Sequence, residues 1–503
     1  MIAHRIVRVA VASVFLVMTL RGGEVWALSD EHVFLDLGFG FVNPGARSLG
    51  MGGAVIATGN DVTAGAGNPA ALRYLERMEL LADYRALRPQ AGTIGSGASV
   101  NLYALPVALP LIDVSSGSAA EDVEALSYFG FGYPLPSART TLALSRNVVL
   151  DAAQAPNAST NRLRFAFPDY PIWVNPDGGP GMNTPTVEQY AVQSVTTGRF
   201  TAEVIHYDLS AGIDVGRDLS IGATATLARL DMRSMLESTV SDPRGLLETV
   251  NPRLDADQDG LLEDVITTSG IGGSDSAFGF TLGVHYHPDS LFAGGVAPVR
   301  FGLVYHKGAD LSVEQRLLEG PVVTATFQNE LKVPDRLGVG IAGELGAERN
   351  WRLALDVEQV KYSDLLDGFQ SGVNSLTGAL IDPDSLSLDP LAEVRFDVDD
   401  AVVIRAGAEY LFAIGSNWTM ALRGGGYTAP DDRIRMMAFN STDPLVNQAY
   451  LDAFGRGEDQ NHFTAGVALQ SEAGIQLQLA GDFAGDGDQL VFTVRYLFGK
   501  SRL

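Results

Sequence analysis

The chain has 503 residues, 46% of them hydrophobic and 19% charged, and 35 basic against 60 acidic side chains give a formal net charge of −25. It contains no cysteine, which excludes a disulfide framework, thiolate chemistry and a Cys-ligated metal. The acidic excess argues against nucleic acid as a partner, and a chain this long fits one closed β architecture as well as several soluble domains.

Residues 1–27 read as a secretory signal. His4, Arg5 and Arg8 make a basic start, the apolar run 9–20 is too short to span a bilayer, and Val25-Trp26-Ala27 offers a cleavage end, with Arg21 and Glu24 just ahead of it. No later segment approaches ~18 uninterrupted apolar residues. An exported chain of this kind sits in a membrane only as a barrel, because only helices and closed barrels satisfy their backbone in lipid.

The stretch 43–72, NPGARSLGMGGAVIATGNDVTAGAGNPAAL, is too rich in Gly and Ala to form a core of its own. Gly permits positive φ and close backbone approach, so the stretch reads as a compact irregular segment packed inside something larger. The plainer alternative is a Gly-rich loop leading into a soluble β-protein.

A first strand is expected near 78–84. The apolar run 100–111 is interrupted by Pro106 and Pro110, which mark a broken strand or a loop. Segments 126–135 and 140–150 form a hairpin turning at Pro136-Ser137. A long connection, 151–198, carries Phe165, Phe167, Tyr170 and Trp173, too many aromatics for simple disorder. These rings either capture a ligand or pack the loop on a rim. Segments 200–215 and 219–235 turn at Gly216-Arg217-Asp218, and two further long connections cover 236–274 and 364–400.

From Ala277 the alternation is strict. Phe278, Phe280, Leu282, Val284 and Tyr286 share one face, while Gly279, Thr281, Gly283, His285 and His287 share the other. Leu337, Val339 and Ile341 repeat this, as do Ile475, Leu477 and Leu479, and Phe492, Val494 and Tyr496. Strands of ~10 or more residues joined by short turns on one side and long loops on the other are what transmembrane barrels show. Trp351, Tyr362, Tyr410, Phe412, Trp418, Tyr427, Tyr496 and Phe498 suit interfacial girdles.

Asp255, Asp257 and Asp259 ahead of Gly260, with Leu261 and then Glu263 or Asp264, are spaced to wrap a structural Ca²⁺, the alternative being an unliganded acidic turn. His285 and His287 share a face and could ligate a metal with His206 or His306, but polar filling of a lumen explains them better. No Gly-x-Ser-x-Gly, phosphate-cradling loop or His-Glu-x-x-His is present, so no catalytic residue is assigned and the chain reads as a non-enzyme.

Ala46-Arg47-Ser48-Leu49-Gly50-Met51-Gly52-Gly53-Ala54, an acidic spacer around Asp61, then Asn68-Pro69-Ala70 resembles the N-terminal hatch of FadL-type outer-membrane transporters of long-chain fatty acids and aromatic hydrocarbons. The opening also resembles PorV, the related barrel subunit of type IX secretion. Val333-Pro334 leading into 336–344, the stretch 351–363, and 402–412 followed by 418–430 look like consecutive strands of the same family. The resemblance implies an all-β protein: a transmembrane antiparallel barrel of about 14 strands over 76–503, with a hatch, 28–75, plugging the lumen. It implies passive, hatch-gated diffusion of hydrophobic small molecules without a cofactor. Gly50, Gly52, Gly53, Asn68, Pro69 and Ala70 would serve the gate, and Phe165, Phe167, Tyr170 and Trp173 substrate capture. Implied partners are the substrate, outer-membrane lipid and the barrel assembly machinery, or secretion-system proteins on the PorV alternative. Barrels of this type usually finish on an aromatic, whereas here Phe498 is followed by five more residues.

Overall fold

The computed structural model describes residues 39, 41–89, 99–101, 111–120, 123–165, 190–241, 265–288, 298–319, 322–346, 348–366, 394–432, 434–439, 457, 459–484 and 487–499. Fourteen antiparallel strands pair in a ring. They are β1 (Glu79–Pro89), β2 (Val123–Leu135), β3 (Thr140–Phe165), β4 (Tyr190–Asp214), β5 (Leu219–Ser241), β6 (Val265–Tyr286) and β7 (Val299–Lys307). The ring continues with β8 (Arg336–Leu345), β9 (Trp351–Val360), β10 (Ala401–Ile414), β11 (Trp418–Ala429), β12 (Gln460–Ser471), β13 (Ile475–Ala484) and β14 (Gly487–Leu497). Each strand pairs with the next, and β14 returns to β1 with Leu497 opposite Glu79. Closure gives every ring strand a partner on both sides, the condition for a β structure in lipid.

The two ends differ. At one lie both ends of the barrel chain and tight turns at 136–139, 215–218, 346–350, 415–417 and 472–474. At the other the connections are long except the one between β13 and β14, and β3 to β6 project furthest there, with 26, 25, 23 and 22 residues.

Side chains are arranged inside out relative to a soluble protein. On β9, Trp351, Leu353, Leu355 and Val357 face outward, whereas Asp356 and Glu358 face the lumen at 1% and 3% exposure. On β10, Val402 and Ile404 face out while Arg405 and Glu409 are buried. From Phe278 to Tyr286 the outward row of β6 is wholly apolar. At ~3.3 Å per residue and a tilt of ~40° that row is about 20 Å tall, close to the ~25 Å apolar band of outer-membrane barrels. Exposed apolar surface this continuous is unfavourable in water and favourable in lipid. Among the described residues no helix is long and apolar enough to cross a membrane, a test that says nothing about strands.

Inside the ring runs an irregular N-terminal segment. It contains α1 (Ala46–Gly50), α2 (Ala64–Gly67) and a 3₁₀ turn, Pro69–Tyr74. α1 packs on β11 to β14, and the 3₁₀ turn on β3 to β6. Besides the fourteen ring strands there are a hairpin, Asp310–Glu319 with Val322–Lys332, whose first strand pairs with the outer part of β6, a 3₁₀ turn at Tyr362–Leu366, and a two-stranded sheet of Val394–Asp397 with Arg435–Phe439.

Some expectations need correction. The connections expected at 151–198 and 236–274 are shorter, because β3 and β5 continue to Phe165 and Ser241 while β4 and β6 begin at Tyr190 and Val265. In β4 to β6 these extensions are rich in Ser, Thr and Val, which are compatible with strands but give no apolar alternation. The segment expected as a connection over 364–400 contains part of the 3₁₀ turn and the strand Val394–Asp397. Tyr362 and Tyr427 do not join an interfacial girdle. Tyr362 is buried, and Tyr427 stacks on His462 with centroids 4.2 Å apart and donates to Asp482 Oδ2 at 2.6 Å. Trp351, Tyr410 and Phe412 do cluster near the short-turn end, with centroids 4.7 and 5.8 Å apart, and Tyr496 meets Phe498 at 4.8 Å.

Candidate functional site

The lumen changes character along its axis. From the short-turn end, the inward face of β5 reads Ser220, Gly222, Thr224 and Thr226, then Ala228, Leu230 and Met232. Its outward face changes in the opposite sense, from Ile221 and Leu227 to Arg229, Asp231 and Arg233. β4 behaves likewise, with Ser210 and Asp208 giving way inside to Val204 and Ala202. Within the apolar band the barrel is polar inside. Beyond it the strands stand in water and enclose an apolar core, as the hydrophobic effect requires.

In the polar half the N-terminal segment is fastened to the wall by charge and hydrogen bonds. Glu409 receives Arg47 at 3.3 Å, Arg423 at 2.9 Å and Arg352 at 3.0 Å. Glu358 is paired with Arg336 at 3.2 Å and Arg405 at 2.5 Å, and Glu79 with Arg495 at 2.6 Å. Backbone donors of the segment are taken up by wall side chains: Ala46 N–H by Thr493 Oγ1 (2.7 Å), Gly52 N–H by Thr464 Oγ1 (3.1 Å), Ile56 N–H by Asp356 Oδ2 (2.8 Å) and Val62 N–H by Glu79 Oε1 (2.8 Å). An irregular chain in a lumen lacks a ladder partner, so the wall must supply acceptors.

Gly50, Gly52 and Gly53 sit against β10 to β12. Gly52 and Gly53 have φ of +64° and +77°, and a Cβ on Gly52 would stand 2.5 Å from the Gly426 nitrogen. Asn68 is buried and bridges two elements. Its Nδ2 donates to Ile56 O at 2.9 Å and to Val284 O on β6 at 3.2 Å, and its Oδ1 accepts from Ala70 N–H at 3.2 Å. Pro69 starts the 3₁₀ turn, and Ala70 O accepts from Ser220 at 3.0 Å.

The apolar half forms a chamber that the sequence reading missed. Phe39 stacks on Phe41, centroids 5.7 Å apart and planes at 8°. Around this pair stand Val204, Leu230, Leu311, Val313, Val360 and Val403, from five different elements. Arg336 lies over the Phe41 ring at 4.4 Å. The sequence signal was there, in the alternation Phe39-Gly40-Phe41 and in the change along the inward face of β5, but neither was read.

Beside Phe41 a cavity of about 60 Å³ reaches from inward-facing His206, Asp208 and Thr226 to Gly279, Phe280 and Gly308 in the wall. The wall is discontinuous there. β6 pairs with β7 only along Phe280–Tyr286 and with the Asp310–Glu319 strand only along Thr267–Gly272. The stretch 273–279 between them has no ladder on that side among the described residues. Phe278, 81% exposed, borders this break at the outer edge of the apolar band. The base of the outer hairpin is clamped by Asp364, which accepts from Lys361 (2.7 Å), Lys332 (2.9 Å) and Asp335 N–H (3.1 Å). Burial alone would raise the Asp364 pKa, but those three donors hold it below the usual carboxylate value.

A second cavity, about 150 Å³, lies in the polar half between the N-terminal segment and β7 to β9. Its polar lining is Arg47, Thr58, Asn60, Tyr74, Arg300, Glu344 and Arg352.

Four histidines singled out in the sequence do not converge on a metal site. His285 faces Ala57 O (3.2 Å) and Tyr74, His287 meets Arg73, and His306 meets Thr281 (2.9 Å). Both His206 and His306 line the smaller cavity. Among the described residues no three His, Asp or Glu side chains gather as metal ligands. Phe165 ends β3 opposite Tyr190. Phe167, Tyr170 and Trp173, and the acidic run Asp255, Asp257, Asp259, Leu261, Glu263 and Asp264, lie outside the described residues.

No family model and no curated protein matches the sequence. Solved structures to which the chain is similar include the Ralstonia pickettii toluene transporter TbuX, at 16% identity and a TM-score of 0.49 over 92% of this chain and 100% of that one. The CymD monoaromatic hydrocarbon channel is similar at 16% identity and a TM-score of 0.48, over 92% of this chain and 99% of that one. A Pseudomonas aeruginosa FadL homologue is similar at 13% identity and a TM-score of 0.49, over 90% of this chain and 98% of that one.

Proposed function

We propose that this chain is an outer-membrane barrel that passes hydrophobic small molecules, long-chain fatty acids or similar compounds, by diffusion, with the N-terminal segment as its hatch. The observation that carries the reading is the apolar chamber around Phe39 and Phe41, set directly beside a break in the wall. Short turns and both ends of the barrel chain mark the periplasmic side by the rule for such barrels, so the chamber faces outward, where a hydrophobic solute arrives. Removing an apolar molecule from water into such a chamber is favoured by ~25 cal/mol per Å² buried. The cavity now free beside Phe41, about 60 Å³, is less than half of the ~150 Å³ that accommodates benzene, so a hydrophobic ligand must displace the phenylalanines. Both belong to the N-terminal segment, which makes occupancy of the chamber and position of the hatch a single event. No energy source or cofactor is required. Among the described residues nothing singles out the partner-binding alternative.

The test is uptake of a labelled long-chain fatty acid by cells lacking their own transporter, with and without this chain in the outer membrane. Restored uptake supports the reading. A folded, surface-exposed barrel that restores uptake of neither a fatty acid nor an aromatic hydrocarbon sinks it.

A further inference from the structure

The polarity change along the lumen passes through a group of polar side chains at the floor of the apolar chamber. On β4 the inward face runs Ser210, Asp208, His206 and then Val204, so His206 is the last polar residue before the apolar half. Its ladder partners are Asn147 on β3 and Ala228 on β5. Thr226 on β5, Thr281 on β6 and His306 on β7 join them, so five neighbouring strands aim hydrogen-bonding groups at the one cavity beside Phe41. At about 60 Å³ it admits the end of a molecule and not a ring, since benzene takes a cavity of ~150 Å³.

Several of these groups are engaged with one another or with a neighbour. Thr226 donates to Asp208 Oδ1 at 2.7 Å, Ser145 to Asp208 Oδ2 at 3.4 Å, and Thr281 meets His306 Nδ1 at 2.9 Å. His206 differs: its Nε2 is buried and makes no hydrogen bond to the protein. Leaving such a nitrogen without a partner is costly, and a ligand that supplies one recovers the cost. The two cations of the lining are already paired, Lys307 with Asp335 at 3.1 Å and Arg336 with Glu358 at 3.2 Å. Its one carboxylate, Asp208, is held by hydroxyls.

We infer that this floor is a subsite for the hydroxyl end of an otherwise apolar molecule such as a long-chain alcohol, with His206 as the residue that recognises it. A hydroxyl both donates and accepts, so it satisfies Nε2 whether or not that nitrogen carries the proton. A methyl end leaves the nitrogen without a partner. A carboxylate only accepts, finds both cations of the lining taken and stands against the like charge of Asp208. Chains ending in a methyl or a carboxylate still fill the chamber, but they gain nothing at its floor. The inference rests on the transport reading and deepens it, by naming which end of a solute the chamber reads.

1-Dodecanol and tridecane have the same length and differ only in the terminal group, and dodecanoate supplies the charged end. Their binding to the purified, folded barrel in non-ionic detergent is measured by displacement of tritiated 1-dodecanol, with heat-modifiable gel migration as the folding control. Each affinity is read against that of the same compound for His206→Phe, so that partition into detergent cancels. His206→Phe should weaken 1-dodecanol about fivefold, the weight of one neutral hydrogen bond, and leave tridecane and dodecanoate unchanged. His206→Gln, which keeps a donor and an acceptor, should retain the preference for the alcohol. Asp208→Asn should strengthen dodecanoate and leave 1-dodecanol as it was, a selective gain that a merely structural role does not produce. If 1-dodecanol loses no more than tridecane, the cavity takes water only and the subsite is overturned. It is overturned equally if dodecanoate loses as much as the alcohol, or gains nothing in Asp208→Asn. If uptake of hydrophobic compounds persists in those cases, the transport reading still stands. If the alcohol is preferred but no hydrophobic compound is taken up, the transport reading falls and the hydroxyl subsite remains.

Discussion

The two halves of the lumen are held by different physics. In the polar half, order comes from paired buried charges: Glu409 alone receives three arginines, one of them from the N-terminal segment. In the outer half the same strands turn apolar inward, and the rings of Phe39 and Phe41 rest there mainly on apolar contacts, with Arg336 over the Phe41 ring and Arg405 donating to Phe41 O at 3.2 Å. Buried ion pairs are specific and resist displacement, whereas apolar contacts are interchangeable with any greasy solute. On the transport reading proposed above, the outer half would exchange its contents while the inner half keeps the segment registered on the wall.

Breaking the polar half should have the largest effect. Arg423→Met leaves Glu409 short of its most buried partner and should cost about 3–5 kcal/mol, the usual penalty for orphaning a buried charge, read as a fall in the denaturant midpoint of the folded barrel. A midpoint within experimental error of wild type would mean the network is dispensable. In the outer half, Leu230→Asp puts a carboxylate beside Phe39 and Phe41, and uptake should drop at least tenfold while the barrel still assembles. Unchanged uptake would place the route elsewhere.

Asn68→Ala acts inside the polar half, against Gly283 and Val284 of β6. It frees the carbonyls of Ile56 and Val284 and removes the acceptor of Ala70 N–H, a loss of ~1–3 kcal/mol. Transport should be impaired with assembly intact, and failure of the barrel to fold would make the residue structural instead.

The smallest effect concerns Asp364. Its folded pKa lies below the ordinary value, so its contribution to stability is full above the unfolded carboxylate pKa of ~3.9 and disappears as the pH falls through the lowered folded value. Asp364→Asn should remove that part of the acid dependence and leave stability at higher pH slightly reduced. An acid-unfolding profile that is the same in both proteins would contradict this.

The outward faces were readable because lipid imposes period-two alternation directly on the sequence, as Phe278 to Tyr286 show. Alternation marked individual strands, while the number fourteen came from the family resemblance. The hairpin of Asp310–Glu319 and Val322–Lys332 and the short sheet at Val394–Asp397 add strands that do not enter the ring. The ion pairs were not legible, since Arg47 meets Glu409 362 positions away and no local pattern reports such a partner. Gly52 and Gly53 could be seen to need room, but not that the room is beside Gly426 and Arg405. Tyr427 was misplaced because an aromatic near a strand end looks alike whether it faces lipid or a buried His462. The chamber was overlooked because its sign is a change of polarity within one face of β5, which a search for alternation between faces does not register.

The central claim is that the outer half of the lumen, and not the lipid-facing wall, receives the hydrophobic solute. Photocrosslinking of a diazirine-bearing long-chain fatty acid to the purified barrel, followed by mapping of the labelled residues, tests it most directly. The account predicts labels at Phe39, Phe41, Leu230 and Val313, competed away by unlabelled fatty acid. Labels confined to outward residues such as Leu353 and Leu355, with no competition, would contradict it.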